Sequence, residues 1–258
     1  MLPWVESQSP LVIALVVFSF WYALTGVIMG VALILAQRPV AKQLKASSPV
    51  TLTPLAVILA LLLAFLSSRV WTNFDHARDH TGREATALRE ALLLSDALPV
   101  DVRANVHGAI KRHLDFIITE DWPAMARREA SLHAIPIGLR DGINASLSFV
   151  PAQATEELAQ QRALAALEQA LESRRNRILI SQLEIAPIQW GVMALLSILV
   201  LVTIATIHID NRPAMSITMF TFSTAVAASI TLLMVYDRPF ALGGVTMQPT
   251  LFHETVVD

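Results

Sequence analysis

The residues best suited to chemistry lie at the start of a charged stretch. In Asp75-His76 and Asp79-His80 the pairs repeat at a spacing of four, so on a helix both histidines share one face and both aspartates the next. His76, His80 and Asp79 are therefore candidate metal ligands, and His107, His113 and Asp115 could add to the set from a facing helix. The competing reading is a solvated polar turn just outside a membrane. A second set is cationic: Arg174, Arg175 and Arg177. Beside a membrane they would form a positive collar for anions or lipid phosphate, or simply snorkel at the interface. Thr221 and Thr224 are candidate ion-interacting residues on a wet pathway, although such small side chains equally suit close helix packing. The chain has no His-Glu-x-x-His, phosphate-binding loop or nucleophile elbow, and neither catalysis nor a cofactor is expected.

The elements that must position these groups are set by composition. Of 258 residues 54% are hydrophobic and only 16% charged, and the apolar residues come in blocks, as in a membrane protein with a soluble insert. Cysteine is absent, which excludes disulfides and thiolate chemistry. Net charge is near zero with no basic stripe interleaved with aromatics, which argues against nucleic acid. Leu11 to Ala36 carries no charge and is long enough to span a hydrocarbon core of about 30 Å. It lacks the basic start and shorter apolar run of a cleaved signal, so it is read as a retained transmembrane helix. Gln37 to Thr53, with Pro39 and Pro49, reads as a polar loop, and the second span follows at about Thr53 to Ser68, with Trp71 at the interface. Gly191 to Ile207 and Met215 to Tyr236 give a third and fourth span, joined by the turn His208 to Pro213.

Residues 69–184 read as an extramembrane helical domain between the hairpins 1–68 and 185–240, with a tail at 241–258. Its first helix carries Ala85, Leu88, Leu92 and Leu98 at helical spacing, and Pro99 breaks it before an N-cap at Asp101. The next helix puts Val102, Val106, Ile110, Leu114 and Ile117 on one face and is expected to end at Trp122-Pro123, with Trp122 as a packing anchor. Pro136, Gly138, Gly142 and Pro151 mark a short helix within loops. A third pattern runs from Thr155 to Ile180, with Leu158, Leu164, Leu167, Leu171 and Ile178 as its buried stripe. No segment of the domain alternates at period two. The fold class is therefore all-α: four transmembrane helices in two hairpins, with an inserted extramembrane bundle continuous with the second and third spans. Both termini and the domain share one side. Short-loop charges (Arg38, Lys42, Lys45, Arg212) place the domain outside, whereas the arginines flanking the domain favour the opposite orientation.

Several pieces occur in a familiar order: Ala64-Phe65, Val70-Trp71, Phe74-Asp75, Arg83 to Leu88, Glu120 to Met125, Arg174 to Arg177, Pro187 with Trp190, and Tyr236-Asp-Arg-Pro-Phe240 followed by Gly243. Together they resemble the bestrophin-like domain family of bacterial and plant membrane proteins, over about Thr53 to the C-terminus. The resemblance implies distant kinship with bestrophins, pentameric chloride channels with four spans per subunit and a cytosolic helical domain. Asp237, Arg238, Pro239 and Phe240 with Gly243 stand where bestrophins carry Asn-Pro-Phe-Gly, but the acidic calcium-binding cluster that follows there has no counterpart here. What the resemblance implies is a multi-pass protein of the cell (inner) membrane, a homo-oligomeric ion channel with anion preference. Its partners would be the lipid bilayer, further copies of itself and inorganic anions. The alternative is a membrane-anchored sensor or scaffold whose helical domain binds a ligand or partner.

Overall fold

In the computed structural model of the chain, residues 8–38, 40–132, 135–241, 247 and 249–252 are described, with backbone only for 40–49. Among them there is no strand. The helices are α1 (Pro10–Leu35), α2 (Val40–Ser95), α3 (Val100–Phe116), a π-helical turn (Ile117–Asp121), α4 (Trp122–Ala126), α5 (Ile137–Leu147), α6 (Ala154–Ser181), α7 (Pro187–Ile207) and α8 (Arg212–Tyr236). Four helices are long and apolar enough to cross a membrane: α1, α2 from Val50 on, α7 and α8. The chain divides into two units. The first takes the described residues up to Thr72 and Glu184–Asp237; the second takes those of Asn73–Leu183 and from Arg238 on.

In the first unit α1 packs against α8 and α7. Ile13, Val17 and Trp21 of α1 share a buried cluster with Met215, Met219, Val226 and Ile230 of α8. Thr25 and Ser223, both fully buried, hydrogen-bond across that contact. Asn211 caps α8 by accepting the Ala214 N–H at 3.2 Å, and Pro213 stands in the first turn, where its missing N–H leaves no bond unmade. Trp71 stacks on Tyr236 at 5.1 Å, the role of an interfacial aromatic pair.

The stretch expected to be a loop before the second span is helical from Val40. Ala41, Lys42, Gln43, Leu44, Lys45 and Ala46 are strong helix formers, and Pro49 and Pro54 remove single rungs of the ladder without ending it. The third span, in contrast, does not continue α6. That helix ends at Ser181 and α7 begins at Pro187, because the residue before a proline avoids the helical region and Ala186 is extended, with ψ 142°.

The second unit is built from the later part of α2 with α3 to α6. Ala77, Thr81, Glu84, Leu88 and Ala91 of α2 are buried at alternating steps of four and three. Val106, Ile110, Leu114 and Ile117 are buried as expected. On α6 the expected stripe is only part of the buried face: Leu167 and Ile178 are fully buried, and alanines supply much of the rest. Leu158 is 54% exposed, whereas Ala159, Ala163, Ala166, Leu167 and Ala170 are buried, and alanines let helices approach closely. Glycine does the same on α5. A methyl group on Gly138 would stand 2.7 Å from both the Ala109 carbonyl oxygen and the His113 nitrogen of α3. The helix expected to end at Trp122-Pro123 instead widens into the π turn, closed by Trp122 N–H on the Ile117 carbonyl, and resumes as α4. Pro123 lacks an N–H and its ring crowds the carbonyl four residues back, and a wider turn relieves both. Asp101 sits in the first turn of α3 behind Pro99 rather than capping it, and acts on the helix dipole.

Candidate functional site

The second unit encloses a charged cluster. Three chain segments supply it: Glu84 from α2, Asp121 from the end of the π turn, and Arg174 and Arg177, one helical turn apart on α6. Glu84 and Arg177 are completely buried, Asp121 and Arg174 nearly so. Arg177 grips Glu84 through two bonds, Nε to Oε2 at 2.8 Å and Nη2 to Oε1 at 3.2 Å. Arg174 grips Asp121 likewise, Nε to Oδ2 at 2.6 Å and Nη2 to Oδ1 at 2.9 Å. The pairs are linked, since Arg177 Nη2 lies 3.6 Å from Asp121 Oδ2. Two guanidiniums face two carboxylates in planar forks, so the cluster is neutral as a whole.

Around the charges the lining is soft and aromatic. The Arg177 guanidinium lies 5.6 Å from the rings of both Trp122 and Phe252, and its Nη1 donates to Met125 Sδ at 3.3 Å. Arg174 sits 5.9 Å from the Phe116 ring. His113, fully buried, approaches Glu84 Oε1 with Nε2 at 3.3 Å. A carboxylate oxygen only accepts, so Nε2 carries the hydrogen, and the buried Nδ1 has no partner among the described residues. Burial alone would raise the Glu84 carboxyl. The charge of Arg177 and the bonds from His113 and Arg177 outweigh it and hold the group below the ordinary glutamate range.

The three arginines named from the sequence thus part company. Arg174 and Arg177 are inside, each in a two-point bond with a carboxylate. Arg175 is exposed and borders a groove of about 470 Å³ that Arg174 also lines, with Leu132, Ile135, Leu171, Glu168 and Glu172. The histidine–aspartate pairs do not assemble. Asp79 Oδ2 takes Arg83 Nε at 2.9 Å, His76 is exposed, and no three His, Asp or Glu side chains converge among the described residues. His113 faces Glu84, not His76 or His80. Thr224 donates to the Phe220 carbonyl at 2.8 Å and so receives the Tyr22 hydroxyl at 3.0 Å, while Thr221 is exposed.

The tail motif divides. Asp237 Oδ2 accepts the Ile185 N–H at 3.4 Å in the first unit. In the second, Arg238 Nη2 donates to the Ala126 carbonyl at 3.0 Å, the Pro239 carbonyl accepts the Met247 N–H at 3.0 Å, and the Phe240 ring meets Trp122 edge-on at 5.3 Å. Gly243 lies outside the described residues. Glu84, Asp121 and His113 were not singled out as cluster members from sequence. The available signal was register, because Glu84 occupies a slot between Thr81 and Leu88 on an otherwise apolar face.

Fold and site together define a helical protein with four membrane-span candidates and a second unit clamped by buried charges. A Bestrophin-like domain model matches residues 19–250, and the chain belongs to that family. Solved structures agree in fold. A bacterial bestrophin homologue from Klebsiella pneumoniae is 14% identical with a TM-score of 0.68 over 92% of this chain and 94% of that one. A single-site variant of a K. pneumoniae homologue gives 14% and 0.69 over 93% and 96%. A further structure, described only as a membrane protein variant, gives 14% and 0.71 over 93% and 95%. No curated protein matches the chain.

Proposed function

We propose that the protein is a homo-oligomeric ion channel of the cell membrane, with anions as the permeant class that the family resemblance implies. The observation that carries the reading is the second span. Only 11% of its apolar window is buried within one chain, against 39% for α7 and for α8. Val57, Ile58, Leu61 and Phe65 are more than half exposed. A face left this open takes lipid or further copies of itself, and one such helix per subunit supplies a charge-free wall around an axis. Conduction would then depend on wetting of a hydrophobic constriction. Arg175, exposed and with no carboxylate partner among the described residues, is the member of the proposed collar best placed to attract anions.

Recording from purified protein in planar bilayers tests this. Currents whose reversal potential moves when chloride is replaced by a large anion are expected, from a ring of subunits with an axial opening. Silence across voltage and pH overturns the proposal. A dimer without an axial path favours the alternative of a sensor or scaffold. That reading has support in the extramembrane groove of about 550 Å³ lined by Asp75, Arg78, Asp79, Arg83, Thr86 and Gln169.

A further inference from the structure

The charged cluster is covered by a piece of chain remote in sequence. Among the described residues beyond Ala241, Phe252 is the one that is fully buried, while Thr250 and Leu251 beside it are exposed. Its ring meets Trp122 edge-on at 6.2 Å and lies 5.6 Å from the Arg177 guanidinium, whose other contacts include Trp122, Glu84, Asp121 and Met125. The ring's aromatic and cationic neighbours thus both belong to the body of the domain: the Trp122 indole and a guanidinium already fixed by its carboxylate. These are the surfaces that hold an aromatic side chain by area, edge-to-face geometry and cation–π attraction at once.

We infer that this socket is an aromatic-peptide binding site and that the segment around Phe252 is its intramolecular ligand, able to dock and release while the domain stays folded. Two features separate ligand from scaffold. Phe240, close by in sequence to the helices, has its own edge-on contact with Trp122 at 5.3 Å and is anchored by the Arg238 bond to Ala126, so Trp122 stays covered on one side when Phe252 leaves. Arg177 likewise keeps both carboxylates when the ring departs. Release therefore strands no charge. It admits water to the outer face of the guanidinium, which weakens the tie between Glu84 on α2 and Arg177 on α6 without breaking it. The inference is independent of whether the protein conducts ions.

The test uses a chain ending at Val245 and a fluorescently labelled peptide of residues 246–258. Expected is a truncated protein that remains helical and of unchanged assembly size, loses amide protection across 117–126, and regains it on binding the peptide. A Phe252→Ala peptide should bind roughly a hundredfold to a few thousandfold more weakly, the loss typical of a buried Phe truncated to Ala. Unchanged protection on truncation, no peptide binding by a folded truncated protein, or equal binding of the two peptides overturns the inference. If the truncated chain does not fold, full-length Phe252→Ala decides. Faster exchange confined to 249–252 and 117–126 supports a separable ligand, and loss of protection throughout the domain overturns it.

Discussion

The two units bury polar groups on different terms. In the first, the polar contacts between α1 and α8 are made by hydroxyls. Ser223 donates to Thr25, whose own hydrogen goes to the Trp21 carbonyl at 2.8 Å, and Tyr22 donates to Thr224. Among the described residues none of the buried side chains there is charged. In the second unit, four formal charges lie in the middle of an otherwise apolar helical core. A serine or threonine in lipid can always return its hydrogen to its own helix, so each such contact is locally satisfied and individually weak. A buried arginine has no such retreat. It must find a carboxylate on another segment, so each pair dictates which segments meet.

The largest expected effect follows directly. Arg177→Met leaves Glu84 buried without its principal cation, and the domain should lose about 3–5 kcal/mol of stability, read by thermal unfolding of purified protein. Replacing Glu84 by Leu in the same chain should recover a substantial part, since an apolar pair carries no stranded charge. No recovery would mean that the charges themselves, and not merely their pairing, hold the domain. Arg177→Lys should fall between the two, because a point ammonium cannot reproduce the fork.

Acid should separate the units as well. Glu84 titrates below its unfolded value, so the stability it confers is present in full above the ordinary glutamate pKa and is lost as pH falls through the lower folded value. Between pH 8 and 5 this contribution is flat, and the second unit should begin to lose hydrogen-exchange protection only in strong acid. The hydroxyl contacts of the first unit carry no titratable group, so their protection should not follow that transition. Loss of the second unit's protection near pH 6 would show that another group controls it.

A close approach comes next in size. Gly138→Ala places a carbon 2.7 Å from backbone atoms of α3, which cannot rotate aside, so α5 must move off. Overpacking of this kind costs about 1–3 kcal/mol. Gly142→Ala, whose added carbon would meet Ala109 Cβ and Leu167 Cδ1 at 3.5 Å, should be nearly neutral. Equal melting shifts for the two variants would show that α5 is not locked against α3.

How far these contrasts could be read in advance depended on how local their causes are. The spans, the all-helical class and the α3 face were legible, because each is a run or a period within one helix. The charged cluster was only half legible. Glu84 shares its face with Thr81 and Leu88, and Arg174 and Arg177 share theirs with Ala163 and Ala170. A charge in such a slot announces a buried partner without naming it, and Asp121 and His113 enter only through the tertiary approach of α3. The π turn was opaque because Trp122-Pro123 carries the signature of a helix end. Leu158 misled the α6 reading, since leucine looks buried by type while alanines made the closer contact.

The smallest effect sharpens the comparison from the membrane side. Ser223→Ala removes the donor to Thr25 but leaves Thr25 bonded to the Trp21 carbonyl, so no buried polar group is orphaned. Interhelical hydrogen bonds in membranes average about 0.6 kcal/mol, and the variant should unfold within roughly that margin of the parent in detergent. Thr25→Val removes the acceptor instead. Ser223 can then turn its hydrogen back to its own helix, so this loss should also stay well under that of Arg177→Met. If either membrane variant rivalled the arginine variant, the α1–α8 contact would rest on a bond that cannot be locally replaced. The distinction drawn between hydroxyls that can retreat and charges that cannot would then not describe this protein.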